Sequence, residues 1–213
     1  MDKKIYWNKR FQDEGYVWGT SPSQTAEYAA EIFRKNGVKT VLVPGSGYGR
    51  NTKLFSESGF TVTGIEISDI ACEMARDYDP ATTHYQGSVT DMSCLNGNFD
   101  AVYSFNVLHL LEEAEREKFI QQCTDRVNDG GLLFFTAFSD YDPSRGRGKK
   151  LAENTFESRP GRPAHYFSEE TFLHYFRNFE VLETGIVEDP ENHGEGPHTH
   201  ALCYVLARKP KAE

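Results

Sequence analysis

A β-branched run ending in three closely spaced glycines, Val41-Leu42-Val43-Pro44-Gly45-Ser46-Gly47-Tyr48-Gly49, limits what this chain can fold into more than any other stretch. Residues without a Cβ let a strand turn tightly into a helix and let a ligand approach the bare backbone. A helical pattern follows at once. About 20 residues on, the acid Glu66 closes the next predicted strand, where a carboxylate is placed to accept from two ribose hydroxyls. The combination predicts a βαβ unit holding a nucleoside cofactor. A plain strand-to-helix turn is the alternative.

The spacing narrows the cofactor. A dinucleotide fingerprint, G-x-G-x-x-G, would need its third glycine at position 50, which is Arg50. The chain reads G-x-G-x-G instead. That pattern resembles motif I of class I S-adenosylmethionine-dependent methyltransferases, whose cofactor has no pyrophosphate to seat on the helix. Many members of that family carry an acid at the position of Val43. The Val-Leu-Val-Pro-Gly form here resembles the thiopurine methyltransferase and tellurite-resistance methyltransferase branches, which act on small molecules. The resemblance implies S-adenosylmethionine as cofactor and S-adenosylhomocysteine as product.

Strand patterns over residues 38–43, 60–65, 82–86, 99–104 and 132–138 alternate with helical patterns, which predicts a parallel sheet covered on both faces. Before them, residues 2–13 read as a helix, and Ser21-Pro22 as the N-cap and first residue of a second one. After them, Ser168 starts a short helix. Strands over 179–188 and 198–207 follow, separated by a loop at 189–197 too short for a crossover, so the pair should be antiparallel. The resemblance, over residues 38–208, implies a three-layer Rossmann-like methyltransferase fold. Its seven-stranded, mostly parallel sheet has the order 3-2-1-4-5-7-6 with one antiparallel edge strand. The chain then divides into an N-terminal helical cover (1–37), a cofactor-binding core (38–138), a substrate lid (139–167) and a C-terminal helix with the strand pair (168–208).

Composition agrees with one α/β domain. The 213 residues include 15 Phe and 11 Tyr, enough for a sizeable core. No run has the roughly 18 apolar residues of a membrane span, and the first residues lack the apolar core of a signal peptide. Four scattered cysteines without C-x-x-C spacing suggest reduced thiols and a cytoplasmic protein. A net charge of −9 works against nucleic-acid binding. A monomer or weak homodimer is expected.

The resemblance carries family roles onto particular residues. Gly45, Gly47 and Gly49 would hold the methionine part of the cofactor, Glu66 the ribose, and Ile67 one face of the adenine. The third-strand motif appears as Gly87-Ser88-Val89, with Ser88 where an acid often binds the adenine amino group; the nearby Asp91 suits a turn. Ligands in open α/β sheets bind beyond the carboxyl ends of the strands, so Asn106, after the fourth strand, should face the sulfonium. His109, three residues further, is a candidate general base or a packing residue. Trp7 and Trp18 either cover the active site or pack the first helix on the sheet. In the lid, Arg159 and Arg162 flank Pro160-Gly161. They either bind an anionic acceptor, with Tyr166 closing the pocket as a second candidate catalytic residue, or belong to a solvated loop. His193, His198 and His200, with Glu195 close by, do not form a convincing metal set, and no metal is expected.

Methyl transfer from a sulfonium to a small molecule is the leading expectation. A protein or RNA methyltransferase is the alternative, disfavoured by the acidic balance and by the lack of a Pro-Pro-Tyr motif after the fourth strand. Another class is a non-catalytic binder of S-adenosylmethionine. An NAD(P)-dependent oxidoreductase is opposed by Arg50.

Overall fold

The computed structural model describes residues 2–193 and 196–211. Strands β1 (Thr40–Pro44), β2 (Thr61–Glu66), β3 (Thr83–Gln86), β4 (Phe99–Ser104) and β5 (Val127–Phe138) pair in parallel. Between them run α3 (Arg50–Glu57), α4 (Asp69–Tyr78) and α5 (Glu113–Arg126); α1 (Lys3–Glu14) and α2 (Gln24–Lys35) precede. Three short strands, β6 (Lys149–Ala152), β7 (Thr155–Arg159) and β8 (Arg162–His165), lead to α6 (Glu169–Leu173) and the long strands β9 (Glu180–His193) and β10 (Gly196–Arg208). The main sheet has the order β3-β2-β1-β4-β5-β10-β9. This is the expected order, with β9 and β10 as the sixth and seventh strands. Among the described residues, no helix is long and apolar enough to cross a membrane.

Side chains of β5 explain the layers. Leu133 and Phe135 enter one buried cluster, with Phe119 of α5 and Phe172 of α6. Leu132 and Phe134 enter the other, with Phe33 of α2 and Phe55 of α3. Strand alternation thus feeds two cores, one per face, and each fully buried Phe or Leu stabilises the fold by about 1.5–3 kcal/mol.

Four expectations change. The N-cap of α2 is Ser23, whose hydroxyl accepts from Ala26 N–H; Pro22 lies before the cap instead of at the first helical position. The antiparallel strand is β10, second from the edge; it pairs antiparallel with both β5 and β9. The lid is not a loop: β6, β7 and β8 form a small antiparallel sheet, and Pro160-Gly161 makes the β7–β8 turn with Gly161 at φ 81°. Finally, the ladder of β9 and β10 continues through most of the expected loop at 189–197, of which Gly194 and Glu195 lie outside the described residues. β10 pairs with β5 only over Leu202–Arg208, so the rest is a two-stranded ribbon projecting past the sheet.

Candidate functional site

The carboxyl ends of β1 to β4 open onto one cavity of about 680 Å³, closed over by α1, the lid hairpin and the β9–β10 ribbon. Its size is typical of small-molecule sites, roughly 300–1,000 Å³. The glycine loop forms its floor. Gly45 and Gly47 have φ of 67° and 55°, which favours glycine, and a Cβ at Gly45 would run into Val107. At Gly47 the nearest side-chain atom to a Cβ would be Phe11 Cζ, 3.9 Å away, so this backbone faces open space. Gly49 does not line the cavity. It is the N-cap of α3, and a Cβ there would crowd Thr52 Oγ1 at 3.2 Å.

Glu66 lies on the cavity wall, 7% exposed. Its Oε2 accepts from Gly47 N–H at 3.0 Å and its Oε1 from Ser68 N–H at 2.8 Å. Burial raises its pKa, opposed by these backbone N–H groups. A carboxylate has about four acceptor positions, so capacity remains for hydroxyl donors from the cavity. Ile67 and Val89 line the same wall. Ser88 also lines it, but its hydroxyl bonds Thr90 Oγ1 at 2.8 Å, and Asp91 accepts from Ser93 N–H in the turn beyond. Ser46 Oγ is buried in the loop with no partner among the described residues. Asn106 lines the cavity at φ 56°, a strained conformation fixed by Thr136, whose hydroxyl donates to Asn106 Oδ1 at 3.1 Å. A bare-backbone loop, a free-capacity carboxylate one strand away and two apolar side chains beside it fit the methionine, ribose and adenine of a nucleoside sulfonium.

The opposite wall corrects the acid–base expectation. His109 lines the cavity, but its ring stacks on Phe138 with centroids 4.0 Å apart, and its Nδ1 accepts from Phe138 N–H at 3.4 Å. Burial, then the Arg162 and His200 charges, hold it well below the usual histidine range. It is a neutral imidazole whose remaining nitrogen carries the proton, hence a donor and not a base. Tyr166 is 1% exposed behind the cavity wall. Its hydroxyl bonds Ser144 Oγ at 2.8 Å and its ring packs on Phe138 and Phe156, so it does not close the pocket. Trp7 and Trp18 line the cavity and pack against Phe11 and Tyr48.

Arg159 and Arg162 stand opposite each other at the lid hairpin and both line the cavity. Arg159 is exposed and reaches Glu14 at 3.4 Å. Arg162 lies deeper, with Nε unpartnered among the described residues.

Residues 42–135 match the family described as a methyltransferase domain. The thiopurine S-methyltransferase of Aliivibrio fischeri is 24% identical over 162 residues, covering 67% of this chain and 75% of that protein. An uncharacterized methyltransferase of Oceanobacillus iheyensis is 31% identical over 101 residues, 47% of each chain. Over residues 42–135 this chain is similar to methyltransferase domains. The aligned segments span less than half the length of several curated relatives. Among solved structures, the Burkholderia thailandensis 1,6-didemethyltoxoflavin-N1-methyltransferase, with bound 1,6-didemethyltoxoflavin and S-adenosylhomocysteine, gives a TM-score of 0.71 at 19% identity, covering 98% of this chain and 87% of that one. That likeness shows the fold.

Three features of the site have no signal in the sequence analysis. Arg50 joins three elements around the cavity: it donates to Trp18 O at 2.8 Å, pairs with Glu191 at 3.1 Å and lies 5.4 Å from the Phe105 ring centre. Arg10 is 5% exposed, with its guanidinium 5.8 and 5.1 Å from the ring centres of Trp7 and Trp18. The ribbon brings His200 to the cavity with its Nδ1 bonded to the buried Asp142. Glu191, His198 and His200 present ligating atoms within 4.8 Å of one another. Each already has a partner, in Arg50 and His193, in Gly196 O and in Asp142 respectively. Glu195 lies outside the described residues. The partners of Arg50 come from segments 32 and 141 residues away, and His200 meets Asp142 from 58 residues away, so sequence spacing does not announce these contacts.

Proposed function

We propose that the protein transfers a methyl group from S-adenosylmethionine to a small-molecule acceptor, releasing S-adenosylhomocysteine. The observation that carries this is the meeting of the bare Gly45–Gly47 backbone and the Glu66 carboxylate on one cavity, within the segment that matches a methyltransferase domain family. The cofactor, when bound, supplies an electrophilic methyl. In this reading the glycine loop holds its methionine part, Glu66 accepts from its ribose, and Ile67, Ser88 and Val89 border the adenine. Asn106 stands at the sulfonium end. Gly49 shapes the loop from behind.

The chain's own contribution is alignment and removal of water. Trp7, Phe11 and Trp18 close the cavity from α1 and its following loop. His200, oriented by Asp142, is the group suited to take a proton from an acceptor O–H, S–H or N–H as the methyl arrives. His109 donates from the side. A small molecule is favoured over a protein or nucleic acid because the cavity has the volume of a small-molecule site and the relatives and fold neighbours include small-molecule enzymes. Free cysteines suit a cytoplasmic location.

Calorimetry tests the reading. S-adenosylhomocysteine should bind one site and NAD should not. Incubation with S-adenosylmethionine and pooled small acceptors should generate S-adenosylhomocysteine. Tight NAD binding, or no binding of either sulfur compound, overturns the assignment. Binding without turnover on any acceptor favours a binder.

A further inference from the structure

The cavity has an end that the cofactor reading leaves unused. Arg10 of α1 and Arg162 of the lid hairpin both line it. Arg10 is 5% exposed, and its Nε and Nη1 have no hydrogen-bond acceptor among the described residues. Arg162 is half-buried, and its buried Nε is likewise unpartnered among the described residues. One carboxylate, Glu14, stands 3.5 Å from Arg10 and 3.4 Å from Arg159, too far to satisfy either well. Arg10 and Arg159 thus share a single acid, and Arg162 pairs with none among the described residues. The other acids on the cavity wall are committed: Glu115 to Lys3, Glu191 to Arg50 and His193, and Glu66 to backbone N–H groups.

Burying charges without partners is costly, and a fold that keeps two such groups facing a cavity is built to receive the missing partner. Guanidinium groups match oxyanions because their planar donors meet two oxygens at once. We infer that Arg10 and Arg162 form an oxyanion subsite, so that the methyl acceptor carries a carboxylate or phosphate group seated between α1 and the lid. This rests on the methyl-transfer reading for its biological meaning, but not for the anion site itself. The site has a built-in reporter. The chain's two tryptophans, Trp7 and Trp18, are the rings flanking Arg10.

The experiment uses the protein saturated with S-adenosylhomocysteine and reads tryptophan emission. Benzoate should change the emission saturably; benzamide, the neutral isostere, should not. Arg162→Gln should weaken benzoate at least tenfold and leave S-adenosylhomocysteine affinity within twofold. Arg162→Lys should weaken it less than Arg162→Gln. Arg177→Gln, on the surface beside Glu117, should leave benzoate affinity unchanged. Inorganic phosphate that competes with benzoate and binds tighter assigns the group as a phosphate; weaker competition assigns a carboxylate. Melting of the ligand-free protein separates binding from structure. Arg162→Gln should melt no lower than wild type, because it removes an unpaired charge. An equal response to benzamide, no response, or unchanged affinity in Arg162→Gln overturns the subsite. So does a large loss of stability in that variant. Failure of S-adenosylhomocysteine to bind, with the benzoate response intact, overturns the cofactor reading and leaves the anion site standing.

Discussion

His200 Nδ1 lies 2.9 Å from Asp142 Oδ2, joining the projecting ribbon to the segment just after β5. Asp142 is 3% exposed and also accepts from Ala201 N–H and Ser144 N–H. Burial works to raise its pKa, yet the bonds from His200 and Ser144 hold it below the usual value. Asp142 thereby orients the His200 ring, which lines the cavity.

The first prediction concerns this pair. His200→Gln should lower kcat by roughly 10²–10⁴-fold for an acceptor that must lose a proton. Asp142→Asn should have a smaller effect on kcat and move the acidic limb of the kcat–pH profile. Cofactor affinity should hold in both. An unchanged pH profile in Asp142→Asn would show that the pair only braces the ribbon.

Glu66 is predicted to serve both cofactor and loop. Glu66→Ala should weaken S-adenosylhomocysteine by about 1.5–3 kcal/mol, the range for hydrogen bonds to a charged group. It also strands the N–H groups of Gly47 and Ser68, so the melting temperature should fall. Glu66→Gln keeps an acceptor for one of them and should recover more stability than affinity. Equal recovery of both would mean that the carboxylate acts only on the loop.

Gly47→Val places a branched side chain at a φ of 55° on the cavity floor. Calorimetry should show S-adenosylhomocysteine binding falling sharply, and circular dichroism should show a folded protein. Wild-type affinity in this variant would mean that the loop does not touch the ligand.

How far the sequence revealed the molecule depends on how local each signal is. The run from Val41 to Gly49 and the acid at Glu66 lie within one βαβ unit, where spacing alone fixes geometry; the sheet order followed from the resemblance they carry. The ribbon was cut short because Pro190, Asn192 and Pro197 read as strand breakers. On a ribbon with free edges they cost little. The lid sheet was hidden because its strands are four or five residues long and mostly polar. Arg10 stands in a short helix among charged neighbours, so nothing local marks it as buried; the Trp18 ring that covers it comes from the following loop. The place of His109 after β4 is legible in the sequence, but its partner Phe138 N–H is 29 residues away, and the Asp142 contact that orients His200 spans 58 residues.

The last prediction concerns pH and the root of the ribbon. Asp189 is 2% exposed on β9 and its Oδ2 has no partner among the described residues. Burial, then the neighbouring Glu191, push its pKa from 3.8 up to about 6, against the pull of Arg50 and His200. A raised folded-state value means that the native protein binds this proton more tightly than the unfolded chain does. Its contribution to stability is therefore fully present below the unfolded pKa of 3.8 and is lost as pH rises through about 6. Asp189→Asn keeps the shape and removes the charge. Relative to wild type it should gain about 1–3 kcal/mol between pH 4 and pH 7.5, the equivalent of one to two pKa shifts of one unit each. Urea unfolding of both proteins at the two pH values isolates this group, since every other titration cancels in the difference. A gain that is the same at pH 4 and pH 7.5 would show that Asp189 is not protonated in the native state at pH 4, and so that its pKa is not raised.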